Sequence, residues 1–269
     1  MNRIQKLFAS AKANGKKVFT AYLTMGFPDM EYSERAVETL LDNGADIIEF
    51  GVPFSDPMAD GKSIQAASRR ALNGGATLEK VVAMAKRLRA KGVDKPFVMF
   101  SYFNPIFKLG TEKTVDECVA AGIDSLLVVD VPLEEADEVV SVSAPKGIEF
   151  IPLAAPTSSP ERIEKISKKG SGFLYYVTVA GVTGARGALP EGIGERLAQV
   201  RKASVLPVAA GFGISNPEMA HAAALNADAV VVGSRLVDIA FKTRLEKGEE
   251  AALDAAAEFV ASLAGAMKR

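Results

Sequence analysis

Apolar residues recur along this chain in two alternating patterns. Short apolar runs, rich in Val, Ile and Phe, are separated by longer stretches in which apolar residues return at helical spacing. The first pattern is typical of buried strands and the second of amphipathic helices. The runs predict eight strands, over residues 18–24, 46–50, 96–102, 125–130, 149–153, 173–178, 205–210 and 229–233. The spacing predicts helices over residues 31–43, 78–91, 114–121, 133–143, 160–169, 193–202 and 216–225.

The alternation of strands and helices indicates a parallel sheet, because parallel neighbours are joined by helical crossovers. Eight strand–helix units are the number that closes into a TIM barrel. Gly44, Gly122 and Asn226 each follow a predicted helix and precede a predicted strand, as helix-stopping residues do. The alternative is an open doubly wound sheet. Residues 24–28 lack the glycine-rich dinucleotide fingerprint of that fold, so the pattern favours the barrel.

Both ends of the chain carry further helical patterns. Residues 1–17 are basic, have apolar residues at helical spacing, and lack the unbroken apolar run of a signal peptide. Residues 249–269 show the same spacing and are expected to pack on the barrel exterior. We therefore predict an α/β fold, a (β/α)8 TIM barrel with an extra N-terminal helix, forming a single domain over residues 1–269.

Composition argues against several classes of protein. Hydrophobic residues make up 48% of the 269 positions, which is enough for one large core. Lys and Arg number 32 against 33 Asp and Glu, so nothing suggests nucleic acid as a partner. Cys118, the single cysteine, lies in an apolar helical pattern and predicts an inert core residue in a reducing compartment. No apolar run is long enough for a membrane span, so a cytoplasmic protein is expected.

A carboxylate lies inside the second predicted strand. Glu49 shares a strand face with Ile47 and Gly51, so it points at whatever that face borders. Burial raises the pKa of a carboxyl group toward neutrality, which suits a group that gives and takes protons. The alternative is a buried glutamate satisfied by structural hydrogen bonds.

The loop after this strand carries a second acid. Pro53 and Pro57 restrict its backbone, and Gly51 and Gly61 bracket it with residues that tolerate unusual dihedral angles. Such a loop can bring Asp60 back over the end of the strand. The two acids could then face one substrate from different environments and take different proton-transfer roles.

Thirteen consecutive residues, from Glu49 to Gly61, resemble the signature of the tryptophan synthase alpha subunit family. The likeness extends from Thr24 to Ser234. It implies retro-aldol cleavage of indole-3-glycerol phosphate to indole and glyceraldehyde 3-phosphate, a lyase reaction of tryptophan biosynthesis. It also implies that Glu49 shuttles protons while Asp60 holds and polarises the indole N–H.

The loop after the sixth predicted strand is long and glycine-rich, over residues 179–190. Long loops of this kind are commonly active-site lids, although a tolerated surface insertion is the alternative. Residues 181–184 match the lid motif of the alpha-subunit family. The resemblance implies that Thr183 contacts the loop that carries Asp60.

Glycines also follow the last two predicted strands. Ser215 and Glu218 have capping-box spacing just after Gly213, and Gly233 and Ser234 precede another helix. Together these loops form the usual phosphate site of a barrel, where backbone amides and a helix N-terminus hold a dianion. A phosphorylated substrate is therefore expected.

The resemblance implies roles for the remaining site residues. An apolar slot would be lined by Phe212, Tyr175 and Tyr102, and the phosphate would be held by Gly184, Gly213, Gly233 and Ser234. The chain departs from the usual family residues at Lys62, Ser63, Tyr22, Phe100 and Val179.

Residues for cofactor chemistry are scarce. With His221 and Cys118 as the single residues of their types, the chain cannot build a His-rich zinc site, although Asp56 and Asp130 leave magnesium formally open. No lysine projects at the carboxyl end of a predicted strand, which argues against a Schiff-base mechanism. No cofactor is expected in this chain.

The family resemblance also implies a partner, a beta subunit that contains pyridoxal phosphate, in an alpha2-beta2 assembly. Positions near that interface correspond to Pro53, Phe54, Asp56, Asn104, Pro105 and Pro132. An exposed Phe54 suits a docking surface, and the alternative is that it folds inward. Two alternatives stay open: a related lyase that acts alone and releases free indole, and a catalytically silent barrel that only activates its partner. A phosphosugar isomerase is disfavoured, because it offers no use for Asp60 or the apolar slot.

Overall fold

A computed structural model describes residues 1–177, 191–211 and 213–268 of the chain. Within these residues, nine parallel strands form one sheet in the order β5-β4-β3-β2-β1-β9-β8-β7-β6. The strands are β1 Val18–Thr24, β2 Ile47–Gly51, β3 Phe97–Ser101, β4 Ser125–Val128, β5 Glu149–Phe150, β6 Leu153–Ala154, β7 Leu174–Val177, β8 Val208–Gly211 and β9 Ala229–Val232. The sheet is curled and parallel throughout, with helices between its strands, which confirms the predicted fold class.

The predicted fifth strand is interrupted. Residues 149–153 were expected to form one strand, but the chain changes neighbours at Ile151 and Pro152. The Ile151 N–H still donates to Leu126 of β4, whereas the Pro152 carbonyl accepts from Tyr175 of β7. Proline has no N–H to donate to a ladder, so a continuous strand was the wrong prediction here. β5 and β6 therefore share one of eight barrel positions.

Helices cover the outside of the sheet. The long ones that the apolar spacing predicts are present, with ends shifted by a few residues. The described residues contain α1 Arg3–Ala13, α2 Met30–Asp42, α3 Lys62–Asn73, α4 Leu78–Ala90, α5 Phe103–Leu109, α6 Thr111–Ala121, α7 Asp137–Ser143, α8 Pro160–Lys169, α9 Ile193–Ala203, α10 Pro217–Asn226, α11 Ser234–Lys247 and α12 Glu249–Ala266, with short 3-10 turns at Leu133–Glu135 and Ala144–Lys146.

Two local predictions need correction, and two helices were not predicted. The helix predicted over 133–143 is a 3-10 turn followed by α7, and α3 and α5 were not predicted. α3 buries mostly small side chains, so few large apolar residues mark it in the sequence. The N-cap of α10 is Asn216, whose side chain accepts from the Met219 N–H at 2.8 Å, instead of Ser215 in a capping box.

Two apolar layers hold the barrel together. Alternate residues of the strands point inward, where they meet Ile4 and Phe8 of α1, which close the amino-terminal end of the barrel. The other strand face packs against the surrounding helices, and Cys118 is buried there as predicted. Among residues 1–177, 191–211 and 213–268, none of the helices combines the length and hydropathy that crossing a membrane requires.

Candidate active site

Glu49 lies at the centre of β2, and its side chain points into the barrel. The residue is fully buried, and neither carboxylate oxygen has a hydrogen-bond partner among the described residues. Burial raises the pKa of Glu49 to about 8 because the charged form loses its hydration. The carboxyl group is therefore protonated at neutral pH and able to donate a proton.

Two tyrosines cover Glu49, and two glycines make room for their rings. Tyr22 of β1 is paired in register with Glu49, and a Cβ added at Gly51 would meet the Tyr22 hydroxyl at 2.3 Å. On the opposite wall, a Cβ added at Gly211 would meet the Tyr175 hydroxyl at 2.5 Å. Glycine at these two strand ends lets both phenols lie across the barrel interior.

Asp60 reaches the same region from the loop after β2. Tyr102 holds this loop: its hydroxyl accepts from the Ala59 N–H at 2.9 Å and forms a hydrogen bond with the Asp60 carboxylate. Burial raises the pKa of Asp60 to about 6, and the bond from Tyr102 limits that rise. Phe54 packs on the Tyr102 ring with centroids 5.1 Å apart and is half-buried, which lies between the exposed and the inward-folded alternatives.

A cavity of about 150 Å³ lies at the carboxyl ends of the strands. Asp60 and the two tyrosines Tyr22 and Tyr175 face it, and most of the remaining wall is apolar. A flat aromatic group with one polar edge suits such a lining. The apolar and small lining residues are Ala59, Ile64, Phe100, Val129, Leu153, Val177, Gly211, Val231 and Gly233.

One end of the cavity meets a helix N-terminus. Ser234 is buried, is the first residue of α11, and lines the cavity together with Gly233. A Cβ at Gly233 would meet the Tyr22 ring at 3.0 Å. Backbone N–H groups and the helix dipole favour an anion here.

The predicted site residues fall into three groups. Asp60, Tyr175, Gly233 and Ser234 line the cavity, with Glu49 beneath it. Tyr102 lies behind the Asp60 loop, and Gly213, with φ of 61°, is absent from the cavity lining. The remaining three predictions, Thr183, Gly184 and Phe212, lie outside the described residues.

Tyr22 and Phe100, which the sequence marked only as departures from the family pattern that bear on the pocket, both line the cavity. Their rings meet edge to face with centroids 5.1 Å apart. Both residues occupy inward-facing or terminal strand positions. Such positions indicate a place in the cavity only once the strand register is known.

Metal ligation has no support from the described residues. No group of three His, Cys, Asp or Glu side chains in them could hold a metal ion. Asp130 accepts from the Phe103 N–H at 2.7 Å, and Asp56 accepts from the Ser55 hydroxyl at 2.5 Å.

Comparisons with known proteins agree with this geometry. The family model described as tryptophan synthase alpha chain matches residues 8–268. The tryptophan synthase alpha chain of Geotalea daltonii is 48% identical over 237 residues, covering 88% of this chain and 89% of the relative. That of Geobacter sulfurreducens is 44% identical over 253 residues, covering 94% and 96%.

Solved structures give the same result. The crystal structure of tryptophan synthase subunit alpha from Legionella pneumophila has 36% identity and a TM-score of 0.92, covering 100% of this chain and 99% of that one. A chain in the structure of Mycobacterium tuberculosis tryptophan synthase has 32% identity and a TM-score of 0.88, with 100% and 99% covered. The chain belongs to the tryptophan synthase alpha chain family.

Proposed function

We propose that Glu49 and Asp60 carry out the lyase reaction of this family, the cleavage of indole-3-glycerol phosphate to indole and glyceraldehyde 3-phosphate. One observation supports this assignment above others: two acids with different pKa values flank a small, largely apolar cavity whose far end meets a helix N-terminus. The indole ring matches the apolar wall, and the phosphate matches the helix end.

Glu49 acts as the proton shuttle. Indole is a poor leaving group until its C3 carbon is protonated, so a general acid must act there. Protonated Glu49 supplies that proton, and the resulting carboxylate takes the proton of the glycerol hydroxyl as the carbon–carbon bond breaks. The carboxyl group is restored, so each turnover needs no proton from solvent.

Asp60 stabilises the ring. Its carboxylate is ionised at neutral pH because its pKa is about 6, and it accepts a hydrogen bond from the indole N–H. Positive charge develops on the ring once C3 is protonated, and a nearby anion in a partly buried site stabilises that charge. Tyr102 keeps Asp60 in place by bonding both its carboxylate and the neighbouring Ala59 N–H.

The remaining predicted residues complete the site. Gly233 and Ser234 bind the phosphate at the start of α11, and Tyr175 forms one wall of the indole slot. In this proposal Gly184 and Gly213 add backbone contacts to the phosphate, Phe212 adds to the slot, and Thr183 contacts the Asp60 loop.

The chain serves tryptophan biosynthesis as an alpha subunit, and its partner is a beta subunit. We infer further that the complex is alpha2-beta2, that residues 1–269 form a single domain, and that the protein works in the cytoplasm. The loop after β2 supports a docking role, because Asp56 is exposed and Phe54 half-buried beside Tyr102. The other residues proposed for the interface are Pro53, Asn104, Pro105 and Pro132.

Indole formation from indole-3-glycerol phosphate, with and without beta subunit, tests the assignment. The chain contains no tryptophan, so indole fluorescence is read without background from this subunit. Glu49→Gln is expected to lower kcat by roughly 10²–10⁴-fold, the usual value of a general acid–base group. Asp60→Asn is expected to cost roughly 10²–10³-fold, as for loss of one preorganised electrostatic contact.

Each contrary outcome identifies one alternative. Full output of the complex with Glu49→Gln would make the barrel a silent activator of its partner. A high rate of the wild-type chain alone, unchanged by added beta subunit, would make it a stand-alone lyase.

A further inference from the structure

Glu49 lies next to the cavity that its proton must reach, but it is not part of the cavity lining. It is fully buried, and the cavity lining includes Asp60, Tyr22 and Tyr175 but not Glu49. A carboxylate left without hydrogen bonds in such a place is costly, because nothing replaces the water that it loses. The ionised form that follows proton donation therefore needs a donor close by.

Strand register makes Tyr22 a candidate for this donor. β1 and β2 are adjacent, and Tyr22 is paired with Glu49, so the two side chains leave the same face of the sheet side by side. The Tyr22 ring extends toward the carboxyl end of β2 and places its hydroxyl over Gly51. Because Gly51 lies two residues beyond Glu49 on the same face and Tyr22 lines the cavity, this hydroxyl lies on the cavity side of Glu49.

The hydroxyl of Tyr22 has a weak hydrogen bond to Thr24. Its oxygen accepts from Thr24 at 3.4 Å, a long contact for two hydroxyl groups, and a hydroxyl hydrogen can rotate to suit its neighbours. Burial raises the pKa of Tyr22, and both facing acids raise it further; the charged or titratable groups that face Tyr22 are Asp60, Glu49, Tyr102 and Tyr175. Tyr175, the other phenol facing Glu49, lies over Gly211 on the opposite wall.

We propose that Tyr22 is a positioning residue whose hydroxyl donates a hydrogen bond to the Glu49 carboxylate once that group has given its proton to the substrate. This inference rests on the proposed role of Glu49. The hydrogen bond holds the anion next to the cavity, oriented to take the proton of the glycerol hydroxyl. Glu49 then becomes neutral again and Tyr22 keeps its own proton throughout.

Tyr22→Phe, assayed in the complex with beta subunit, tests the proposal. Loss of a donor to an anion predicts a fall in kcat of roughly tenfold, with KM within about twofold of wild type. Because the hydroxyl favours the ionised form of Glu49, its removal moves the alkaline limb of the kcat profile to higher pH by about one unit. Carbon-13 NMR titration of labelled glutamate checks the same shift in Glu49 without turnover.

Tyr176→Phe is the matched control. Tyr176 follows Tyr175 in β7 but is buried on the helix-facing side, where its hydroxyl accepts from Arg196 at 3.1 Å. Its pH profile is expected to match wild type. An unchanged profile and titration in Tyr22→Phe would overturn the proposal, as would an equal shift in both variants. Retained activity in Glu49→Gln would instead overturn the proposed function, so the two failures are distinguishable.

Discussion

Two buried glutamates in this barrel share nearly every property that marks an unusual acid. Glu49 and Glu149 are both at least nine-tenths buried. Burial raises the pKa of Glu49 to about 8 and that of Glu149 to about 7. By burial and pKa alone, each would be a candidate catalytic acid.

Their surroundings differ. Glu49 lies in the middle of β2 beneath a cavity with a helix N-terminus at one end. Glu149 is the first residue of β5, beside Asn2 and Gln5 of the N-terminal segment, and those neighbours offset part of the rise in its pKa. It therefore lies at the amino-terminal end of the barrel, the end associated with stability and not with catalysis.

The volume of the nearby cavity does not distinguish the catalytic end of the barrel from the amino-terminal end. A groove of about 580 Å³ lies at the amino-terminal end, lined by basic residues such as Lys12, Lys16 and Arg201, and it does not include Glu149. The smaller cavity beside Glu49 combines an acid, aromatic walls and an anion site. A perturbed acid thus becomes a catalytic candidate only when a shaped cavity and complementary groups accompany it.

The largest expected difference is in turnover. Glu149→Gln is expected to keep indole formation within about twofold of wild type, whereas Glu49→Gln loses roughly 10²–10⁴-fold. Steady-state rates of both variants with beta subunit check this. Equal losses in the two variants would remove the contrast between the two ends of the barrel.

The pH dependence of the rate sharpens the comparison at the catalytic end. Activity is expected to rise as Asp60 ionises near pH 6 and to fall as Glu49 loses its proton near pH 8, giving a maximum near pH 7. A kcat/KM profile of the wild-type complex measures both limbs. In Asp60→Asn the acid limb is expected to disappear while the alkaline limb stays.

A methyl group added at Gly51 tests how tightly the catalytic end is packed. In Gly51→Ala the new Cβ meets the Tyr22 ring, which lies between β2 and Gly233 and has little room to retreat. Overpacking of this kind costs about 1–3 kcal/mol of unfolding free energy, and we expect a rate loss of roughly tenfold with it. Urea unfolding and indole release measure the two effects.

The pH dependence of the unfolding free energy tests the amino-terminal end of the barrel, where Glu149 lies. The folded-state pKa of Glu149, about 7, lies above its ordinary value of 4.5. The unfolding free energy that this group contributes is therefore full below about pH 4.5 and is lost as pH rises toward 7. Glu149→Gln is expected to remove about 2 kcal/mol of that fall, less than the full shift because water screens part of it. Urea unfolding at pH 5 and pH 7.5 gives the difference, and an unchanged difference would contradict it.

The smallest effect is expected at Gly172, the counterpart of Gly51. Its φ is +74°, and an added Cβ would lie 2.5 Å from a Glu149 oxygen, the movable end of a side chain. Gly172→Ala is expected to cost about 1–2 kcal/mol of unfolding free energy through backbone strain, with turnover intact. Thermal unfolding and the indole assay provide the check, and a clear loss of turnover would count against the separation of the two ends.

Local patterns predicted most of the fold, because the period of apolar residues is a property of each segment alone. The interruption of the strand at Pro152 could have been predicted, because proline disfavours a central strand. It was missed because the apolar run continues through this residue. The cap at Asn216 was missed because Ser215 offered equally good capping spacing.

The site was predictable only in part. Glu49 and Asp60 stand out as acids in an apolar run and a stiff loop. The position of Tyr22 over Gly51 depends on the register of β1 against β2, which no single segment encodes. The sequence likewise did not indicate that Glu149 is an unusual acid. Its burial depends on α1, which is distant in sequence.

The placement of β1 between β2 and β9 has a consequence for synthesis on the ribosome. Val18 pairs with Ala229, so the first strand to emerge waits for nearly the whole chain before its second edge is covered. Until then the unpaired N–H and C=O groups on that edge of β1 can pair with a strand of another chain. Nascent chains halted before Ala229 should therefore depend on chaperones more than the released protein does, and ribosome-bound intermediates of increasing length would reveal when that dependence ends.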